Sequence, residues 1–106
     1  MNTRGGTMEP KECTSLKDVR NEIDKIDLQL VDLMAARNSY IKQLAHFKDS
    51  VEKIKEESRI TAVINRVRAH GIEQGLSPNM VEEIFHIMID NMVETEIAEF
   101  RNIKAL

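Results

Sequence analysis

Four charged side chains stand where the helical pattern of this sequence calls for apolar residues. Arg20, Arg37 and Lys48 are cations and Glu96 is an acid. Burying them without partners or a ligand would cost on the order of several kcal/mol. Cations inside a helical seam suit a small anion, and a carboxyl group among apolar side chains must be paired, protonated or facing a polar cavity. The four residues therefore indicate a binding site for a multiply anionic small molecule.

The spacing of the two later cations fits a single ligand. Arg37 and Lys48 are eleven residues apart, which is about three helical turns and about 16 Å of rise, so both project from one helical face. The gap between their tips is about the size of one small anion. Arg20 lies about 25 Å from Arg37 along a helix axis, so we expect it to join that site only from a second, antiparallel copy.

A purely structural explanation of these charges stays open. Lysine and arginine in a coiled-coil seam often extend to the rim, where they set the register of a dimer. His86 and Asp90 are four residues apart, but a pair without a third ligand favours a surface hydrogen bond over a metal. The sequence has no glycine-rich phosphate loop, no dinucleotide fingerprint and no nucleophile paired with a base. We expect no metal, no cofactor and no covalent catalysis.

One long helix over residues 15–48 is expected to carry the three cations. Ser15 followed by Asp18 resembles a capping box at its start, and no stop signal precedes Lys48. Thirty-four residues of helix would span about 50 Å, more than the diameter of a compact domain of this length. Such a helix cannot bury its apolar stripe alone, so we expect an obligate homodimer. The stripe consists of Leu16, Val19, Ile23, Ile26, Leu30, Leu33, Ile41 and Leu44.

Two further helices complete an all-α, three-helix chain. The second is expected from about Glu56, with Gly71 weakening its end. Gly75 has the character of a residue just past a helix, and Ser77 and Pro78 supply an N-cap and a first residue for the third helix. The inward row of the third helix runs through Val81, Phe85, Met88, Met92, Glu96, Phe100 and Ile103.

The domain organisation is simple. Residues 1–13 contain two glycines and a proline without periodicity, and we expect a disordered leader there. Residues 14–106 form a single helical domain in this interpretation, and residues 49–55 are expected to form a short loop or a weak turn.

Composition limits the classes of partner. The net charge is −3 and 31% of residues are charged, with both signs interspersed, which argues against a nucleic-acid binder. No apolar run approaches the length of about 20 residues that a membrane span needs, and the N-terminus is polar. Cys13 is the single cysteine, so no intrachain disulfide can form. We expect a cytoplasmic protein without nucleic-acid or membrane partners.

The sequence resembles the all-helical (type II) chorismate mutase family, near the branch that contains bacterial isochorismate-pyruvate lyase. The likeness is carried by residues 10–16 and 19–27, by Arg37 and by the pair Phe47-Lys48. Its most specific part combines an arginine shortly before an isoleucine-aspartate pair with a second arginine and a lysine eleven residues apart. The likeness covers nearly everything after residue 10.

The resemblance implies a function and a site. It implies an intertwined dimer of three-helix chains with two equivalent pockets, each using one arginine of the partner chain. On that pattern Arg20 and Arg37 hold the two substrate carboxylates, Lys48 and Glu96 contact the ether oxygen, and Glu57 contacts the substrate hydroxyl. The implied reaction is the Claisen rearrangement of chorismate to prephenate, which depends on positioning and electrostatics.

Departures from the family pattern keep three functions open. Many mutases and the lyase carry glutamine where this chain has Glu96, although some mutases have glutamate. Glu57 favours a mutase, whereas the short 49–55 connection and Lys53 favour a lyase that makes salicylate and pyruvate from isochorismate. An amino analogue of chorismate is a further candidate substrate. A non-catalytic helical dimerisation module is the third possibility.

Overall fold

The fold is built from three α-helices. A computed structural model describes residues 9–105 of the chain. Helix α1 runs over Leu16–Leu44, α2 over Glu57–Glu73 and α3 over Pro78–Ala105, and two short 3₁₀ turns, Ala45–Phe47 and Val51–Lys53, lie between α1 and α2. Residues 9–105 contain no β-strand. The predicted all-α class with a long first helix is confirmed.

The structure does not describe the terminal residues of the chain. Of the expected leader, residues 1–8 lie outside the described residues, as does Leu106 at the other end, and residues 9–13 carry no helix. None of the helices between residues 9 and 105 combines the length and apolarity of a membrane span.

Helix α1 begins at the predicted cap. The Ser15 hydroxyl oxygen accepts a hydrogen bond from the backbone N–H of Asp18 at 3.1 Å. The Asp18 carboxylate in turn accepts one from the Thr14 hydroxyl at 3.3 Å. The two side-chain bonds fix the first turn of α1 without a proline or glycine.

The predicted end of α1 is wrong. The α-helix stops at Leu44 rather than continuing to Lys48, and the chain tightens into the first 3₁₀ turn. Lys48 itself is extended, with φ −97° and ψ 145°. Ala45 is only 2% exposed and packs with Ile54 and Phe100, so tertiary packing ends the helix where the local sequence holds no stop signal. The eleven-residue spacing therefore does not set the direction of Lys48.

The structure divides after Ala36 into two compact units. In the first unit, an ion pair of 3.6 Å between Lys11 and Glu22 ties the N-terminal segment to α1. The apolar stripe of α1 is exposed throughout this unit, with Leu16 65% and Leu33 68% accessible. A single copy of the chain therefore leaves this stripe in water.

In the second unit, α2 and α3 form a helical hairpin. Gly75 adopts a φ of +79°, which ends α2 as predicted, and the Ser77 hydroxyl accepts a hydrogen bond from the N–H of Met80 at 3.3 Å at the start of α3. Gly71 lies inside α2, where a Cβ atom would come within 2.9 Å of Val81 Cγ2. Because Gly71 has no side chain, α2 and α3 can approach each other closely at this position.

The predicted inward row of α3 is largely confirmed. Val81, Met92, Glu96 and Phe100 are buried, and the remaining three members are partly buried or packed against the core. Ile89, which the row did not include, is also buried and packs with Val63 and Ile64 of α2.

Candidate active site

A cavity lies inside the second unit, between the end of α1, the start of α2 and the middle of α3. Its walls are largely apolar, and its charged groups come from α1, from the connection after it, from the start of α2 and from α3. The lining residues are Arg37, Ile41, Leu44, Lys48, Ile54, Glu56, Arg59, Ile60, Val63, Ile89, Met92, Val93 and Glu96. An apolar pocket with a few convergent polar groups is the usual form of a small-molecule site.

Arg37 is half-buried in this cavity. Its Nη1 atom lies 2.8 Å from the sulfur of Met92. Burial lowers the pKa of the Arg37 guanidinium, and the positive charge of Arg59 lowers it further. An arginine keeps its charge despite such shifts, so two neighbouring cations line one side of the cavity.

Lys48 reaches the cavity from the connection between α1 and α2. Its Nζ atom donates a hydrogen bond to the backbone carbonyl of Lys53 at 3.2 Å. The same atom lies 3.8 Å from Oε2 of Glu96, close enough for an ion pair but too long for a hydrogen bond. The second 3₁₀ turn therefore holds the Lys48 ammonium beside the acid.

Glu96 is the one charged residue in the buried class among residues 9–105, with 4% of its surface exposed. Its Oε2 atom is buried and makes no hydrogen bond to any part of the chain that the structure describes. Burial raises the pKa of the Glu96 carboxyl, and the nearby Lys48 ammonium opposes part of the rise. A carboxyl group in this setting is suited to hold a proton and to donate it in a hydrogen bond.

The sequence-predicted site residues are only partly brought together. Arg37, Lys48 and Glu96 line the same cavity. Arg20 is exposed on α1 in the first unit and does not line it. Glu57 is exposed at the first position of α2 and is not among the lining residues either, whereas its neighbour Glu56 is.

Most of the chain is similar to known proteins. The family model for chorismate mutase type II matches residues 19–97. The chain belongs to the type II chorismate mutase family. The matched residues include Arg20, Arg37, Lys48, Glu57 and Glu96.

Two relatives of the chain carry different names. The chain is 33% identical over 92 residues to a protein of Pseudomonas aeruginosa named isochorismate pyruvate lyase, covering 87% of this chain and 91% of the relative. It is 31% identical over 77 residues to a protein of Methanocaldococcus jannaschii named chorismate mutase, covering 72% of this chain and 78% of the relative. Membership of the chorismate mutase family is thus compatible with two different reactions.

Sequence reasoning missed two charged groups of this cavity. Arg59 and Glu56 line the cavity from the start of α2. Each stands one helical turn before an inward apolar residue, Arg59 before Val63 and Glu56 before Ile60. That four-residue spacing places both on the inward face of α2, because side chains four apart share a helical face. Charges are common in the first turn of a helix, so the spacing alone did not single them out.

His86 and Asp90, the two residues considered for a metal site, are both exposed on α3. His86 Nε2 lies 3.1 Å from Glu82 Oε2, so its hydrogen-bond partner is Glu82 rather than Asp90. Over residues 9–105, no three His, Cys, Asp or Glu side chains come together as a metal site would require.

Proposed function

We propose that this chain is a chorismate mutase that converts chorismate to prephenate by a Claisen rearrangement. The observation that carries the proposal is the cavity in which Arg37, Lys48 and Arg59 accompany the buried carboxyl group of Glu96. Chorismate is a dianion with an ether oxygen at the reacting bond. A site for it needs cations for the carboxylates and hydrogen-bond donors for the oxygen, and this set of side chains supplies both kinds.

The arginines bind the dianion in this proposal. Arg37 receives one carboxylate through its planar set of N–H donors, and Arg20 of the partner subunit receives the other. Arg59 is close enough to Arg37 to lower its pKa. A bound dianion offsets the electrostatic repulsion between these two cations, and this contribution favours binding of the ligand beside them.

Lys48 and Glu96 act on the ether oxygen. The C–O bond breaks while a new C–C bond forms, and negative charge grows on that oxygen in the transition state. The Lys48 ammonium donates to it, and the Glu96 carboxyl donates when it is protonated. The Nζ and Oε2 atoms are 3.8 Å apart, a separation that lets both groups contact one oxygen. No bond to the protein forms, so the rate comes from folding the enolpyruvyl arm over the ring and from electrostatic stabilisation.

The substrate hydroxyl is assigned to an acid at the start of α2. Family resemblance points to Glu57, and the position of Glu56 on the cavity wall adds a second candidate. A carboxylate there accepts a hydrogen bond from the hydroxyl group. Separate Glu56→Ala and Glu57→Ala variants would assign the contact, since the variant that removes the acceptor should have a raised KM.

A homodimer forms part of the proposal. No residue of α1 is buried within one copy of the chain, although the helix carries an apolar stripe. A second copy packed along that stripe would remove it from water, at about 25 cal/mol for each Å² of apolar surface covered. The same packing would bring Arg20 of one subunit to the pocket of the other. We place the protein in the cytoplasm, where the lone Cys13 thiol stays reduced.

Isochorismate-pyruvate lyase activity is the second candidate. The relative named isochorismate pyruvate lyase aligns over 91% of its own length, and this observation favours the lyase. The lyase reaction would use a similar dianion and the same cations, releasing salicylate and pyruvate. Glu96 favours the mutase in our proposal, because it combines a proton donor for the ether oxygen with Lys48 nearby.

Incubation of the pure protein with each substrate tests the proposal. We expect chorismate to give prephenate, followed by its ultraviolet absorbance and by chromatography of the products. Salicylate and pyruvate from isochorismate as the main activity would select the lyase. Turnover of neither substrate by a folded protein would select the non-catalytic dimerisation module and end the proposal.

A further inference from the structure

Arg37 forms no ion pair with a carboxylate of residues 9–105. Its hydrogen bond within the described chain goes to the Met92 sulfur, and its charged neighbour on the wall is another cation, Arg59. Arg68 offers a contrast in the same unit. It donates to the carboxylate of Glu82 at 2.7 Å and to the amide oxygen of Asn79 at 3.0 Å. Within residues 9–105, Arg68 is paired with a carboxylate, whereas Arg37 is oriented by a neutral sulfur and is paired with no carboxylate.

The Met92 side chain is buried, so its sulfur has little freedom to move. Met92 is 8% exposed on α3, and of the three other residues of this helix that line the cavity, Ile89 and Glu96 are also buried and Val93 is partly buried. A thioether is neutral and a weak acceptor. It can therefore set the direction of a guanidinium group without cancelling the charge that an anionic ligand needs.

Repulsion makes such a restraint useful. Like charges facing each other in a partly apolar cavity raise the energy of the empty site, and a long arginine side chain can relieve this by swinging into water. A hydrogen bond to a buried acceptor opposes that motion. The ligand then finds the guanidinium already in place and loses less conformational entropy on binding.

We propose that Met92 is a positioning residue for Arg37, its sulfur holding the guanidinium in the cavity so that the full charge is free for a carboxylate of the ligand. The inference rests on the proposed function for the identity of that ligand, a dicarboxylate substrate. It assigns to Met92 a role in ligand affinity that its place in the apolar row of α3 alone would not require.

The test compares Met92→Leu with a matched control, Met88→Leu. Both replace a methionine of α3 by a side chain of similar volume, but Met88 does not line the cavity. We expect Met92→Leu to raise KM about fivefold to tenfold with little change in kcat, as for the loss of one modest hydrogen bond. Met88→Leu should leave both constants near the wild-type values.

Two further variants separate positioning from packing. Met92→Gln returns a neutral acceptor and should bring KM back towards the wild-type value. In an Arg37→Lys background, Met92→Leu should cause no additional rise in KM, because the group that it positions is gone. A rise that persists there, no rescue by Met92→Gln, or equal effects of the two leucine variants would overturn the role of Met92.

Calorimetric titration with malonate, a simple dicarboxylate, keeps this inference distinct from the proposed function. If the wild type turns over neither substrate while malonate binding weakens in Met92→Leu and not in Met88→Leu, the proposed function fails and the role of Met92 stands. Normal turnover with no difference between the leucine variants overturns Met92 alone. Neither turnover nor malonate binding by the wild type overturns both.

Discussion

At the scale of single residues, the proton on Glu96 decides what the site can do. An ionised carboxylate only accepts hydrogen bonds, whereas the oxygen of a breaking ether bond needs a donor. Burial raises the pKa of this carboxyl and Lys48 holds it back. A bound dianion raises the pKa of Glu96 again, since negative charge nearby disfavours ionisation. The group is therefore best protonated when the substrate is present.

The resulting prediction concerns pH. The kcat/KM of the wild type should be highest at mildly acidic pH and fall as pH rises through the pKa of Glu96. Glu96→Gln, which donates at any ordinary pH, should keep activity and flatten the alkaline fall. Glu96→Ala should lose about two orders of magnitude in rate at every pH, as for removal of one preorganised donor. Profiles of kcat/KM from pH 5 to 8 for the three proteins check this.

Protein stability provides the control for this pH experiment. A carboxyl group with a raised pKa in the folded state contributes stability that is present below its unfolded pKa and is lost as pH rises through the folded pKa. Thermal midpoints of wild type and Glu96→Gln should therefore agree near pH 4, and the variant should be the more stable at pH 8. A flat wild-type rate profile, or full activity in Glu96→Ala, would remove Glu96 from the chemistry.

Three cavity residues could be found from sequence because each breaks an apolar row. In the sequence, Arg37, Lys48 and Glu96 take positions where the helical period calls for apolar side chains, and burial of a charge there needs a reason. For Lys48 the helical premise is wrong, because α1 ends at Leu44 and the connection after it carries the lysine to the cavity. Arg59 and Glu56 instead stand before the first apolar residue of the α2 row, Ile60, and do not interrupt it. A charge at the edge of an apolar face is common on any surface helix, so these two positions carry no such signal.

At the scale of elements, the close approach of α2 and α3 depends on Gly71. We predict that Gly71→Ala destabilises the protein by about 1 kcal/mol, since overpacking costs about 1 to 3 kcal/mol and the better helix propensity of alanine returns about 1 kcal/mol. The clash is with Val81, whose branched side chain has little freedom to move away. Urea unfolding at one fixed protein concentration measures the change.

A second background tests the cause of that loss. In Val81→Ala the obstructing methyl groups are gone, so adding Gly71→Ala should now stabilise the protein through helix propensity. The sign of the effect of one substitution thus reverses with the residue opposite. Equal destabilisation in both backgrounds would mean that something other than this helix contact sets the effect.

Helix starts were more predictable than the end of α1. The caps at Ser15 and Ser77 and the turn at Gly75 depend on the residue type at each position and its nearest neighbours, and all three are present. The stop at Leu44 depends on the packing of Ala45 against Ile54 and Phe100, which are distant in sequence. Local propensity cannot indicate a stop of that kind, so the direction of Lys48 was beyond sequence reasoning.

At the scale of the whole molecule, each pocket of the proposed dimer is formed by residues of both subunits. We predict that Arg20→Ala and Arg37→Ala are each nearly inactive, and that mixing them restores activity. A heterodimer then has one pocket with both arginines and one with neither. With random pairing, about one quarter of the wild-type activity should return, since half of the dimers are mixed and each has one working pocket of two.

Sedimentation and subunit exchange complete that experiment. The wild type and both variants should sediment as dimers, and exchange should be verified with a tagged subunit before activity is measured. A folded 12.2 kDa monomer at dilute concentration would contradict the dimer. Absence of any recovery after complete exchange would contradict a trans role for Arg20 while leaving the dimer itself intact.

The bond from Lys48 to the backbone carbonyl of Lys53 bears on how this segment tolerates change. A main-chain oxygen is supplied by any amino acid, and the Lys53 side chain is exposed and pairs only with Asp49 among the described residues. Substitution at position 53 therefore leaves the anchor of Lys48 in place, whereas adding or deleting one residue between them moves it. In this chain, position 53 should therefore tolerate a change of side chain, whereas a change in the number of residues between Lys48 and Lys53 should displace the Lys48 ammonium from Glu96.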